Sequence, residues 1–123
     1  MITDAIQTIL EDLVNSFSPI VESDIIPNGI FAVHQEDIAE TFRDKEGIYG
    51  FIYNVQVSII GDSQETMDPI IEDIINEIEA TTGEVNGTVI EESELNTSQG
   101  ILWDDEKKKY YDKLNFLVQT KNR

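Results

Sequence analysis

The chain contains no cysteine, which excludes disulfide frameworks, thiolate metal sites and thiol nucleophiles. Its single histidine, His34, leaves no His-pair metal site and no mechanism that needs two imidazoles. Basic residues are scarce over most of the length: residues 1 to 106 hold 24 acids against only Arg43 and Lys45, a balance of −22. A body this negative repels phosphate backbones and anionic membrane surfaces, because both kinds of binding depend on clustered lysine and arginine. Sequence-specific nucleic-acid binding and membrane binding are therefore not expected. No apolar run approaches the roughly eighteen residues that a membrane-crossing helix needs. The opening MITDAIQTILEDLV interleaves acids with apolar residues and lacks the basic start and unbroken apolar core of a secretory leader. The expectation is a soluble protein made in a cytoplasm.

What is present fits one domain over residues 1 to 123. A chain of 123 residues with 40% hydrophobic content can bury a core that folds without disulfides or metal. The formal charge of −17 is unevenly spread, since residues 107 to 123 carry six bases against Asp112 alone, a balance of +5. That short basic segment can pair with the acidic body of its own chain or with that of a neighbouring copy.

From Ile2 to Phe17 the apolar residues fall at 2, 5, 6, 9, 10, 13, 14 and 17, which predicts an amphipathic helix. Ser18 and Pro19 end it, and Pro27-Asn28-Gly29 signals a turn before a short strand from Ile30 to His34. Residues 35 to 50 are polar and charged and read as a long loop. Phe51 to Ile60 is the clearest strand, with Phe51, Tyr53, Val55, Val57 and Ile59 sharing one face. Gly61 breaks it. Asp62 with Glu65 resembles a capping arrangement, with Ser63 as the other cap, so a helix is expected through Met67, Ile70, Ile71, Ile74, Ile75 and Ile78 to near Gly83. Val85 to Ile90 follows, then an acidic excursion from Glu91 to Gln99. Gly100–Trp103 and Tyr110–Thr120 flank the turn Asp104-Asp105-Glu106 as a hairpin. This order predicts an α+β fold: an antiparallel or mixed sheet of four to five strands with two main helices packed on one face.

Catalytic signatures are missing. There is no G-x-S-x-G elbow and no P-loop, and His34 lies in a predicted strand, where it reads as structural. The acid clusters Glu91-Glu92-Glu94 and Asp104-Asp105-Glu106 suit a hard cation in principle. Neither matches an EF-hand loop, and both read as solvated acids. Glu106-Lys107-Lys108 matches only the bare E-x-K fragment of some nucleases. The reading is a non-enzymatic protein with no cofactor.

Two features point to binding. The second helix carries Glu65, Asp68, Glu72, Asp73, Glu77 and Glu79 without a basic residue. The like-charge pairs Asp68/Glu72 and Asp73/Glu77 each cost roughly 0.2–0.5 kcal/mol, so local stability did not shape this face. It is a solvated surface, the wall of a passage to which nucleic acid does not adhere, or the seat of a basic partner. Around the last hairpin turn stand Trp103, Tyr110 and Tyr111 with Lys107, Lys108 and Lys109, a mixture common both to interfaces and to cross-strand packing.

The amphipathic first helix, Pro27–Gln35, then Tyr53–Gly61 running into the isoleucine-rich helix, and the final Leu114–Val118 together resemble the tail-terminator or tail-completion family of long-tailed phages and prophages, the minor tail protein U type. The resemblance implies a small α+β subunit that forms a homo-oligomeric ring, typically hexameric. Such a ring caps the tail tube, stops its growth and offers a surface to the head-completion protein, with no cofactor. It implies assembly in the bacterial cytoplasm and residence in the virion tail. The segments 35–50 and 91–99 depart from that pattern. The competing reading is a small acidic inhibitor that mimics DNA, suggested by the base-free helix face.

Overall fold

The computed structural model describes residues 2–17 and 29–121. The elements run α1 (Ile2–Glu11), β1 (Asn15–Phe17), β2 (Phe31–Asp44), β3 (Gly47–Gly61), α2 (Gln64–Ala80), β4 (Gly83–Val85), β5 (Thr88–Ser98), β6 (Leu102–Asp104) and β7 (Lys109–Lys121). The fold is α+β. Four long strands and three of three residues make one mixed sheet in the order β1-β2-β3-β7-β5-β4, with β6 paired to the start of β7. All pairings are antiparallel except β1 with β2.

Strand alternation gives the sheet two unlike faces. On one, Ala32, His34, Val55, Val57, Ile59, Leu114, Phe116 and Val118 are buried, and the register sets Ala32 beside Ile59, Val57 beside Leu114 and Val55 beside Phe116. Both helices pack there. Ile2, Ala5, Ile6, Ile9 and Leu10 of α1 and Met67, Ile71, Ile74 and Ile78 of α2 join those strand residues in one core. The opposite face, with Val33, Gln56, Ser58, Ile60, Tyr111, Lys113, Asn115 and Leu117, is half-buried or exposed. Among the described residues no helix covers it.

Several expectations need correction. The first helix ends at Glu11, where the N–H groups of Leu13 and Val14 both bond the carbonyl of Leu10. Asn15–Phe17 then pairs in parallel with Phe31–Val33; Val14, Asn15 and Ser16 are weak helix formers, and strand pairing wins. The signals at Ser18, Pro19 and Pro27-Asn28 lie outside the described residues. Residues 35–50 are not a loop but most of β2, the turn at Lys45-Glu46 and the first residues of β3, in one β2–β3 hairpin. The Asp44 carboxylate accepts the Glu46 N–H at 2.8 Å, and Gly47 takes φ 115°. Asp at the start and Gly at the end of four residues is a turn signature. It was hidden because this hairpin projects past its neighbours: beyond Gly50, paired to Lys121, no third described strand flanks it. There Phe42 stacks on Tyr49 with ring centroids 5.9 Å apart, and most of the remaining side chains are polar and exposed.

The excursion 91–99 is likewise strand. Asn86 and Gly87 take φ 46° and 86°, both left-handed as a type I′ hairpin turn requires, and join β4 to a β5 that runs on to Ser98. Register shifts between Ile90/Glu92 and Leu95/Thr97 spoil the alternation that would have marked it. At α2 the cap position is Ser63, which makes no side-chain cap bond. Asp62 is turned elsewhere, to Lys109 and to the N–H of Gly29.

Candidate functional site

The last hairpin builds the most structured feature of the helix-free face. The Asp104 carboxylate accepts the N–H groups of Glu106 and Lys107 at 3.0 and 3.1 Å, and Lys108 takes φ 57°, which folds β6 back along β7. A cavity of about 410 Å³ opens beneath, floored by Val33, Ile60 and Tyr111 and rimmed by Lys107, Lys109 and Lys113, with Asp104 at its edge. An apolar floor ringed by ammonium groups suits a partner that carries carboxylates on an apolar stem.

The three basic residues of the turn have different duties. Lys108 pairs with Asp105 at 2.8 Å in the open. Lys109 is bound to Asp62 at the foot of α2, and this hydrogen bond holds the Asp62 carboxyl below the ordinary carboxylate range. Lys107 and Lys113 are exposed and form no ion pair among the described residues. Among the described residues, two cations of this rim are thus unpaired.

The structure divides the aromatic group expected at this turn. Trp103, 47% exposed, meets Tyr110 edge-on with ring centroids 4.8 Å apart, and Tyr110 packs against the core. Tyr111 points to the other face and lines the cavity. Lys113 was missed by the sequence reading. Its signal was present, since Lys109, Tyr111 and Lys113 alternate on one face of a strand.

On α2, Asp68, Glu72, Asp73 and Glu77 are all exposed, as is Glu65. No ion pair reaches them among the described residues. They project from the helix layer, on the other side of the sheet from the cavity. A second acidic patch, Glu92 and Glu94 beside Ile52 and Leu117, shares the cavity's face but lies towards the other end of β3 and β7.

His34 is fully buried between α1 and β2. Its Nδ1 contacts the Glu36 carboxylate, and its Nε2 lies 2.7 Å from the amide oxygen of Gln7. The Glu36 side chain is 3% exposed, and the Thr3 hydroxyl reaches its other oxygen at 3.4 Å. The cluster ties α1 to the sheet and offers a substrate no access. Among the described residues, no group of three or more His, Cys, Asp or Glu is placed to hold a metal ion, and no helix is long and apolar enough to cross a membrane.

One buried acid stands apart. Asp112, 3% exposed, faces the helix side opposite Ile59, and its Oδ1 has no hydrogen-bond partner among the described residues. Burial pushes its carboxyl above the ordinary range, against the N–H groups of Lys113 and Gly100, which pull the other way. A carboxyl raised in the folded state binds protons more tightly there than in the unfolded chain. Its contribution is therefore most favourable below the unfolded aspartate value, about 3.9, and is lost as pH rises through the raised value. Asp112→Asn should raise the melting temperature at neutral pH, with the gain shrinking as the solution is acidified through that window. Calorimetry at several pH values checks this, and a lower melting temperature at neutral pH would refute it.

The sequence matches no protein-family model and no curated protein. The fold has a counterpart among solved structures. A chain of the virion of a native gene transfer agent particle superposes with a TM-score of 0.67 at 13% identity, covering 95% of this chain and 84% of that one. At that identity the likeness is one of fold, and the fold to which this chain is similar is that of a subunit in a virion particle.

Proposed function

We propose that the chain is a non-catalytic structural subunit of a phage or prophage virion, of tail-terminator type. It closes into a ring, typically hexameric, that caps the tail tube and presents a surface to the head-completion protein. The observation that most supports this is the fold likeness, over 95% of the chain, to a subunit of a gene transfer agent virion. The capping role draws on the order of elements in the sequence. The strongly acidic body, −22 over residues 1 to 106, suits a passage that DNA must traverse without adhering.

The base-free row of exposed acids on α2 favours a second reading, an acidic DNA-mimic inhibitor of a nucleic-acid-binding protein. The ring reading also gives a use to Lys107 and Lys113, which a DNA mimic does not need. Electron microscopy of purified tail tubes incubated with the protein separates the two. The expected result is a ring of density at tube ends and tubes that no longer lengthen. Bare, growing tubes together with tight binding to a basic nucleic-acid enzyme would favour the inhibitor.

A further inference from the structure

Resting on that ring reading, we infer that the lysine-rimmed cavity on the open sheet face receives the acidic row of α2 from a second copy of this chain. Three observations converge on that occupant. The cavity pairs an apolar floor of Val33, Ile60 and Tyr111 with two exposed lysines, Lys107 and Lys113, that have no partner within the described chain. The α2 helix offers a base-free row of exposed acids, with Asp68 and Glu72 one turn apart, about 6 Å along the axis. Charge complementarity between the two is strong in a protein whose net charge is −17 and whose copies otherwise repel each other.

Geometry then sets the kind of assembly. The acids project from the helix layer and the cavity opens on the other side of the sheet. Two copies therefore cannot satisfy both surfaces reciprocally, as a two-fold dimer must. Each copy gives its helix to one neighbour and its cavity to another, a head-to-tail arrangement that closes into a ring when the rotation between copies closes and extends as a filament when it does not. Lys108 has no part in the contact, because Asp105 holds it within its own turn. The pairing is electrostatic at an exposed rim, so salt weakens it.

The test uses the full chain and two charge-reversed variants, Lys107→Glu/Lys113→Glu and Asp68→Lys/Glu72→Lys, with Lys108→Glu as control. Native mass spectrometry and light scattering read the mass, and circular dichroism reads the fold. Each double variant alone should lose the wild-type oligomer, and the control should keep it. Mixed in equal amounts, the two double variants should recover an oligomer in which they alternate, because every junction is complementary again. Retention of the wild-type oligomer by both double variants would overturn the assigned surfaces and leave the ring standing. Loss through the lysine variant alone would assign the cavity to Glu92 and Glu94 of the second copy and also overturn the inference. A wild type that never associates, alone or on tail tubes, would remove both the inference and the ring.

Discussion

Replacing Phe116 by alanine will lower the stability of the protein by about 3–5 kcal/mol, a large part of the roughly 5–15 kcal/mol that holds a typical domain together. Phe116 heads the fully buried side chains by size. It sits on β7 between Val55 of β3 and Leu95 of β5, under the helix layer. A cavity left there is bounded by β7 and the two strands paired to it on either side, β3 and β5, which cannot close around it. Urea denaturation followed by circular dichroism measures the loss as a fall in midpoint at unchanged slope. A cost below about 1 kcal/mol would mean that the centre of the sheet is loosely packed.

Removing the His34 imidazole should be comparably severe, at about 3–5 kcal/mol for His34→Ala. The loss comes from what is left behind more than from what is taken away. The Glu36 carboxylate, with its side chain 3% exposed, keeps only the long contact from Thr3, and Gln7 loses the ring nitrogen it faces. An orphaned buried carboxylate is costly. Replacing both partners by leucine should therefore cost less than either single replacement, a non-additivity that a double-mutant cycle reads directly. Additive losses would show that the two side chains act independently and that the cluster does not fasten α1 to β2.

The sequence was legible wherever burial imposed a period. Phe51–Ile59 alternates because β3 is flanked on both sides and covered by helices on one face. The isoleucines of α2 recur at helical spacing because one side of that helix meets the sheet. Legibility failed where a strand leaves the body. The outer part of β2 runs along a sheet edge, where Gln35, Asp37, Ile38, Ala39 and Glu40 are exposed, and β5 carries register shifts that move residues off the alternating pattern. In both places local turn chemistry, Asp44 to Gly47 and Asn86-Gly87, held the missing information.

The candidate site was half visible for a similar reason. Composition alone marks the basic turn and the acidic helix. Only the register shows that Tyr110 and Tyr111 part to opposite faces, that Lys109 is consumed by Asp62, and that Lys113 completes the cavity rim. Opposite placement of the two charged surfaces is a property of layer order, on which sequence periodicity is silent.

The mass of the assembly tests the proposed ring-forming role most directly. Native mass spectrometry would follow the wild-type protein from low concentration to millimolar, at low and high salt, alone and with tail tubes. The account predicts one discrete closed oligomer that weakens as salt rises and is retained on tube ends. A strict monomer under every condition, with no added mass on the tubes, would contradict it.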